Sequence, residues 1–138
     1  MITHCSKAYF HSTCGYLYIA HHTMKLVSVN IAKPEAVVIN GQTVLTGINK
    51  KPHSDPIWLD KLNLAGDGQA DLSVHGGEFQ AVYSYPVEHY AHWQQILDKA
   101  SLPYGTFGEN FTVSGLLETN VYVGDIYKIG DAVIQATL

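Results

Sequence analysis

Asp71, His75, Gly76 and Gly77 stand in a run over residues 66–77, Gly-Asp-Gly-Gln-Ala-Asp-Leu-Ser-Val-His-Gly-Gly, that combines carboxylates, a titratable ring and four glycines. Two further loops add Lys50 and the pair Glu109-Asn110. Together these types suit a polar, anionic, heterocyclic ligand: glycine exposes backbone N–H groups, an ammonium meets a phosphate, and Asn or Asp reads ring edges. Nothing in the set transfers electrons or activates water unaided, so an enzyme built on it needs a cofactor. On residue types alone, a Gly/Asp-rich run between apolar segments equally makes a turn, and both readings stand. A Ser73, His75, Asp71 triad fails on geometry, since alternation along a strand puts all three on one face with no base behind the nucleophile. Phosphate-loop, dinucleotide, nucleophile-elbow and His-Glu-x-x-His motifs are missing from the sequence.

The elements that position these loops are short strands. Lys25 to Ile31 is rich in β-branched residues, and Glu35 to Ile39 joins Gln42 to Leu45 through Asn40-Gly41, the strongest short hairpin signal. Residues 46–52 read as a turn whose Lys50-Lys51 pair forms either a solvated corner or an anion contact. Ile57 to Leu64 and Ala81 to Tyr85 read as strands flanking the glycine run, with Pro86 ending the second. Val87 to Ala100 has helical spacing and is the main helix; His89 and His92 lie on it three apart and read as exposed histidines rather than a metal pair. Phe111 to Val113, Val121 to Val123, Ile126 to Ile129 and Ala132 to Thr137 complete a mostly β chain, predicted as a largely antiparallel β-barrel with one main helix over about 87–100.

The chain has 138 residues, 46% of them apolar, enough for one ordinary core. Only 14% are charged, the formal net charge is -4, and all eight basic residues are lysines. Without arginine or a basic patch, nucleic acid is not expected as a partner. No apolar run approaches the ~20 residues of a membrane span, so a cytoplasmic protein is expected. Residues 1–23 hold both cysteines, Cys5 and Cys14, and half of the eight histidines, with no acidic residue. They read as an extension to a domain over 24–138, disordered or preceding a natural start at Met24, and the cysteine spacing does not match a zinc site.

Several blocks, Thr46-Gly47-Ile48-x-Lys50, Gly66-Asp67-Gly68-Gln69-Ala70-Asp71 with His75-Gly76-Gly77, Ala81-Val82-Tyr83 with Tyr85-Pro86, Tyr90 and Trp93, Phe107-Gly108-Glu109-Asn110, Gly115-Leu116 with Glu118, and Gly124-Asp125, resemble the MOSC domain proteins of the YiiM type. The resemblance runs from about Met24 to Leu138. It implies a β-barrel that binds the molybdenum cofactor, a pyranopterin bearing a phosphate, and that reduces N-hydroxylated compounds such as hydroxylaminopurines with electrons from a separate redox protein. Carried over, Lys50 would face the anionic side of the cofactor, Asp71, His75, Gly76 and Gly77 would line the pocket floor, and Glu109 and Asn110 would close it.

Two departures from the family pattern stand out. Glu78-Phe79-Gln80 follows His75-Gly76-Gly77 where the commoner family form has Pro-Asp-Lys. The family's molybdenum-ligating cysteine follows a Pro-Arg-x-Pro-Cys segment just beyond the strand in which this sequence ends, whereas here no cysteine follows Cys14. A thiolate is the soft ligand molybdenum needs. The resemblance therefore implies a domain incomplete at its C-terminus and impaired as a reductase, with the metal ligand expected beyond Leu138. The alternatives are a non-catalytic carrier of the molybdenum cofactor or a partner in cofactor sulfuration, where pyridoxal phosphate sits on another domain.

Overall fold

The computed structural model describes residues 2–6, 8–10, 16–19, 22–73 and 75–137, with side chains from residue 24 onward. In chain order the first strands are β1 (Ile2–Ser6), β2 (Ala8–Phe10), β3 (Tyr16–Ile19), β4 (His22–Ile31), β5 (Glu35–Ile39) and β6 (Gln42–Thr46). β7 (Lys51–His53), β8 (Ile57–Leu59) and β9 (Ser84–Pro86) precede the helix α1 (Tyr90–Ile96), and β10 (Phe111–Ser114), β11 (Ile126–Ile129) and β12 (Ala132–Ala136) follow it. The fold is thus mostly β with one α-helix, as the pattern of short apolar runs predicts.

The ladders form four sheets. β4 is central to the largest, ordered β3-β4-β10-β9 with β7 also on β4; a second has the order β1-β12-β11, and β2-β8 and β5-β6 are two-stranded. All pairs are antiparallel except β9 with β10. One apolar core joins them: Leu26 and Val29 of β4, Leu59 of β8, Phe111 of β10, and Tyr127 and Ile134 of β11 and β12 all pack in it. Along β12 burial alternates strictly, with Ala132, Ile134 and Ala136 inside, so the period-2 pattern of the sequence fixes which face is the core face. On β4 a register shift places Thr112 opposite Ser28 but Val113 opposite Leu26, which leaves Val27 as an extra residue. After that bulge the strand buries the polar Asn30 as fully as Val29.

The Asn40-Gly41 hairpin forms as its sequence requires: both residues have positive φ, 51° and 78°, and Ile39 faces Gln42. Elsewhere the boundaries move. The helix ends at Ile96 rather than Ala100, because Asp98 takes φ 51° and the Lys99 N–H turns back to the Gln94 carbonyl, a Schellman stop made without glycine. Its first predicted turn, Val87–His89, is a 3₁₀ turn. Residues 57–64 do not form one strand. Asp60 accepts the Lys61 amide and its own N–H reaches the Asn63 carbonyl, so a tight turn follows Leu59 and leaves Leu62 exposed. Residues 121–123 likewise turn, with the Tyr122 amide donating to the Asp125 carboxylate at 2.8 Å. Residues 51–53, the first two of which read as part of a turn, form β7; Pro52 fits there because β7 lies outside the main strand order, paired to β4 alone.

Candidate functional site

The glycine run begins on a buried anchor. The Asp67 side chain is 0% exposed and its Oδ1 accepts both Lys50 Nζ, at 2.5 Å, and the Ala32 amide, at 2.9 Å. Its Oδ2 accepts Asn110 Nδ2 at 2.8 Å. A carboxylate removed from water must be matched by charge and by hydrogen bonds, and here one cation and two neutral donors supply both. Lys50 is no solvated corner: its side chain is 8% exposed and points inward to this pair, while Lys51 is exposed.

Asn110 carries the network onward. Its Oδ1 accepts the Tyr83 amide at 3.1 Å and its Nδ2 also reaches the Asn30 carbonyl at 3.2 Å. Asn30 Nδ2 in turn donates to the Glu109 carbonyl and to Thr112 Oγ1. The fully buried Glu109 carboxylate receives the Tyr90 hydroxyl, Thr112 Oγ1 at 2.7 Å and the Gly105 amide at 2.8 Å on Oε1, and the Phe107 amide at 3.1 Å on Oε2. Gly105 can donate only because it lacks a side chain: a Cβ there would fall 2.5 Å from the Lys50 carbonyl oxygen, and its φ is +88°. Burial, and then the Glu109 carboxylate it donates to, push the Tyr90 phenol far above its ordinary range, so it remains a donor at any physiological pH.

The predicted site residues therefore fall into two groups. Lys50, Glu109 and Asn110 come together through Asp67 and Asn30 in one interior network. Asp71, His75, Gly76 and Gly77 come together on a separate loop over residues 71–80, where Asp71, His75 and Gly77 are exposed. That loop is folded on itself: Ser73 donates its amide (2.9 Å) and hydroxyl (2.5 Å) to Asp71 Oδ1, the His75 amide reaches the Asp71 carbonyl, and the Gln80 amide reaches Gly77. The Ser73 hydroxyl and amide hold the Asp71 carboxyl below the usual carboxylate range. The Ser73 hydroxyl thus has the Asp71 carboxylate as its partner. Thr137 Oγ1 donates to the Phe79 carbonyl and ties down the far end of the loop. Among the described residues no hydrogen bond joins the loop side chains to the interior network.

Asp67, Asn30, Thr112 and Tyr90 carry this arrangement without being singled out from sequence as site residues. A signal existed for two of them. Asp67 sits between glycines in the run itself, and Asn30 is the polar residue in an otherwise apolar strand end. Around the network a ring cluster packs: Tyr85 and Phe107 lie 4.6 Å apart between centroids, Tyr90 meets Phe107 edge-on at 5.1 Å, and Trp93 Nε1 donates to the Tyr85 hydroxyl. His89, on the 3₁₀ turn before α1, pairs with Glu118 through Nε2 at 2.9 Å.

Residues 71–138 match the MOSC domain, and the chain belongs to the MOSC domain proteins. It is 43% identical over 81% of its length to the uncharacterized protein YflK of Bacillus subtilis, covering 50% of that protein. It is 45% identical over 59% of its length to the protein YiiM of Escherichia coli, covering 37% of it, and 34% identical over 68% to a Gibberella moniliformis protein named a reductase, covering 17% of it. The crystal structure of YiiM from Geobacillus stearothermophilus superposes with a TM-score of 0.59 at 34% identity, over 81% of this chain and 49% of that one. The chain spans half or less of the length of these relatives. No helix among the described residues is long and apolar enough to cross a membrane.

Proposed function

We propose that this chain is the pterin-holding part of a cytoplasmic, molybdenum-cofactor-dependent reductase of N-hydroxylated compounds. Membership of the MOSC family carries the reading, and likeness to a protein named a reductase supports it. In the overall reaction the N–O bond is cleaved, oxygen leaves as water and the amine remains, with electrons from a separate redox protein. When bound, the molybdenum cofactor would supply that redox chemistry.

The residues fit the organic part of the cofactor better than its metal. His75 is an exposed ring, and the Gly76 and Gly77 backbone has φ 99° and 80°, with open space where a Gly77 side chain would stand. This loop offers an imidazole and the exposed backbone of Gly77 to an anionic, heterocyclic edge, while Gly76 packs against Leu72 and Gln69. For the metal, no cluster of three or more His, Cys, Asp or Glu side chains is assembled among the described residues, and residues 24–138 contain no cysteine. We therefore assign Asp71, His75, Gly76 and Gly77 to ligand contact, and Lys50, Glu109 and Asn110 to holding the loops in place.

A second reading is a carrier that holds the cofactor without turning over. The experiment is to purify the chain after expression in a cofactor-producing host, oxidise it and measure the released fluorescent pterin. Retained pterin with no reduction of hydroxylaminopurine is expected. Absence of pterin refutes both readings, and clear turnover refutes the carrier.

A further inference from the structure

Of the asparagines in the sequence, Asn40 alone is followed by glycine. The amide carbon of an asparagine lies within reach of the next backbone nitrogen, and glycine leaves that nitrogen unshielded because it has no Cβ. Whether such a pair reacts depends on whether the fold holds either group. At the tip of the β5–β6 hairpin Asn40 and Gly41 are both exposed, and no atom beyond the chain neighbours lies within 4 Å of where a Gly41 Cβ would stand. Among the described residues neither the Asn40 amide nor the Gly41 N–H has a hydrogen-bond partner.

Elsewhere the fold holds such groups. Asp67-Gly68 has the same dipeptide chemistry, but the Asp67 carboxylate receives three donors and the Gly68 N–H is committed to the Ala32 carbonyl at 3.0 Å. Asn30 and Asn110 are buried with their amides in the interior network, and Asn49 Nδ2 donates to Glu35 at 3.0 Å.

We propose that Asn40-Gly41 is a site of spontaneous covalent modification that opens the β5–β6 hairpin. The Gly41 nitrogen loses its proton and bonds to Asn40 Cγ; the Cγ–Nδ2 bond breaks, Nδ2 leaves as ammonia, and a five-membered imide closes. Water then adds to either imide carbonyl. Cleavage of the bond from Cγ to the Gly41 nitrogen gives aspartate at position 40. Cleavage at the backbone carbonyl carbon gives isoaspartate, with the main chain rerouted through the former side chain. One water enters and one ammonia leaves, with no oxidant or reductant.

Isoaspartate adds a methylene to the main chain of a turn that fits two residues between Ile39 and Gln42, so the hairpin register fails. Among the described residues β5 and β6 pair only with each other, and Val38 and Leu45 are 72% and 56% exposed, so no third strand restores it. The change should stay within residues 35–46. Gly47, next in the chain, lies against the Gly68 carbonyl oxygen, which a Cβ would meet at 2.5 Å, and Lys50 is held by Asp67.

The test is incubation of the 138-residue chain at neutral and at mildly alkaline pH beside the free peptide of residues 35–46, whose conversion sets the time. Isoaspartate is counted with an isoaspartyl carboxyl methyltransferase and located by mass spectrometry of the tryptic peptide over residues 26–50, which also carries Asn30 and Asn49. The expected result is loss of Asn40 with an equal release of ammonia, faster at the higher pH, while Asn30 and Asn49 stay intact. Protection from hydrogen exchange over residues 35–46 should be lost in the converted fraction. Asn40→Gly keeps a positive-φ turn and removes the reacting amide, so it should accept no methyl groups. An Asn40 still intact when the free peptide has converted, equal ammonia release from Asn40→Gly, or unchanged exchange over residues 35–46 after conversion would overturn the proposal.

Discussion

Replacing Asp67 with Asn keeps the shape of the side chain and removes its charge at the centre of the interior network. Three donors converge on this carboxylate, Lys50 Nζ at 2.5 Å, the Ala32 amide at 2.9 Å and Asn110 Nδ2 at 2.8 Å. The Asn amide offers a single acceptor oxygen, so at least one donor meets an NH₂ group, and Lys50, 8% exposed, loses its counter-charge. Removing one member of a buried pair costs about 3–5 kcal/mol. That is a large part of the ~5–15 kcal/mol stability of a typical domain. Urea unfolding followed by fluorescence of Trp58 and Trp93 measures it, with the slope checked for a two-state transition. Lys50→Met in the same chain removes the orphaned cation, so Asp67→Asn/Lys50→Met should be more stable than Asp67→Asn alone. A loss below about 1 kcal/mol, the range of an exposed pair, or strict additivity of the two substitutions, would refute the buried-pair argument.

Tyr90→Phe takes one donor from the buried Glu109 carboxylate and should cost about 1–3 kcal/mol in the same assay. Gly41→Val places a β-branched residue at φ 78°; it should destabilise the hairpin by about 1–2 kcal/mol, read as faster hydrogen exchange over residues 35–46. Burial, and then Asp125, push the Tyr127 phenol up to about 12. Because its folded value is raised above the ordinary 10.0, the stability linked to it is complete below pH 10 and is lost as pH rises toward 12. Tyr127→Phe should therefore resist alkaline unfolding better than the unaltered chain, and absorbance at 295 nm should show Tyr127 ionising after the exposed tyrosines.

Features set by neighbours in sequence were legible, and those set by distant partners were not. Asn40-Gly41 dictates its hairpin because both residues tolerate positive φ, and β12 shows its core face because alternation is local. The helix end was misplaced because Leu97 and Ala100 keep helical spacing although Asp98 has already turned the chain. Lys50 reads as a surface lysine on a turn, since the carboxylate that draws it inside lies seventeen positions away. Glu109 and Asn110 stand out in the sequence, but a buried acid with four donors looks the same there as an exposed ligand contact. The loop carrying Asp71 and His75 is exposed as the glycine content suggests, and its anchor, Asp67, was visible in the run although its role was not.

If the exposed loop contacts pterin and the interior network serves architecture, one measurement separates the two roles. Fluorescent pterin retained per folded molecule is determined after reconstitution and dialysis for the unaltered chain, His75→Ala and Tyr90→Phe, each with its urea midpoint. His75 is exposed, so His75→Ala should leave the midpoint unchanged and lower retention by about tenfold, the loss of one charge-assisted hydrogen bond. Tyr90→Phe should lower the midpoint and leave retention by the folded fraction close to that of the unaltered chain. Full retention by folded His75→Ala would contradict the placement of the cofactor on residues 71–80.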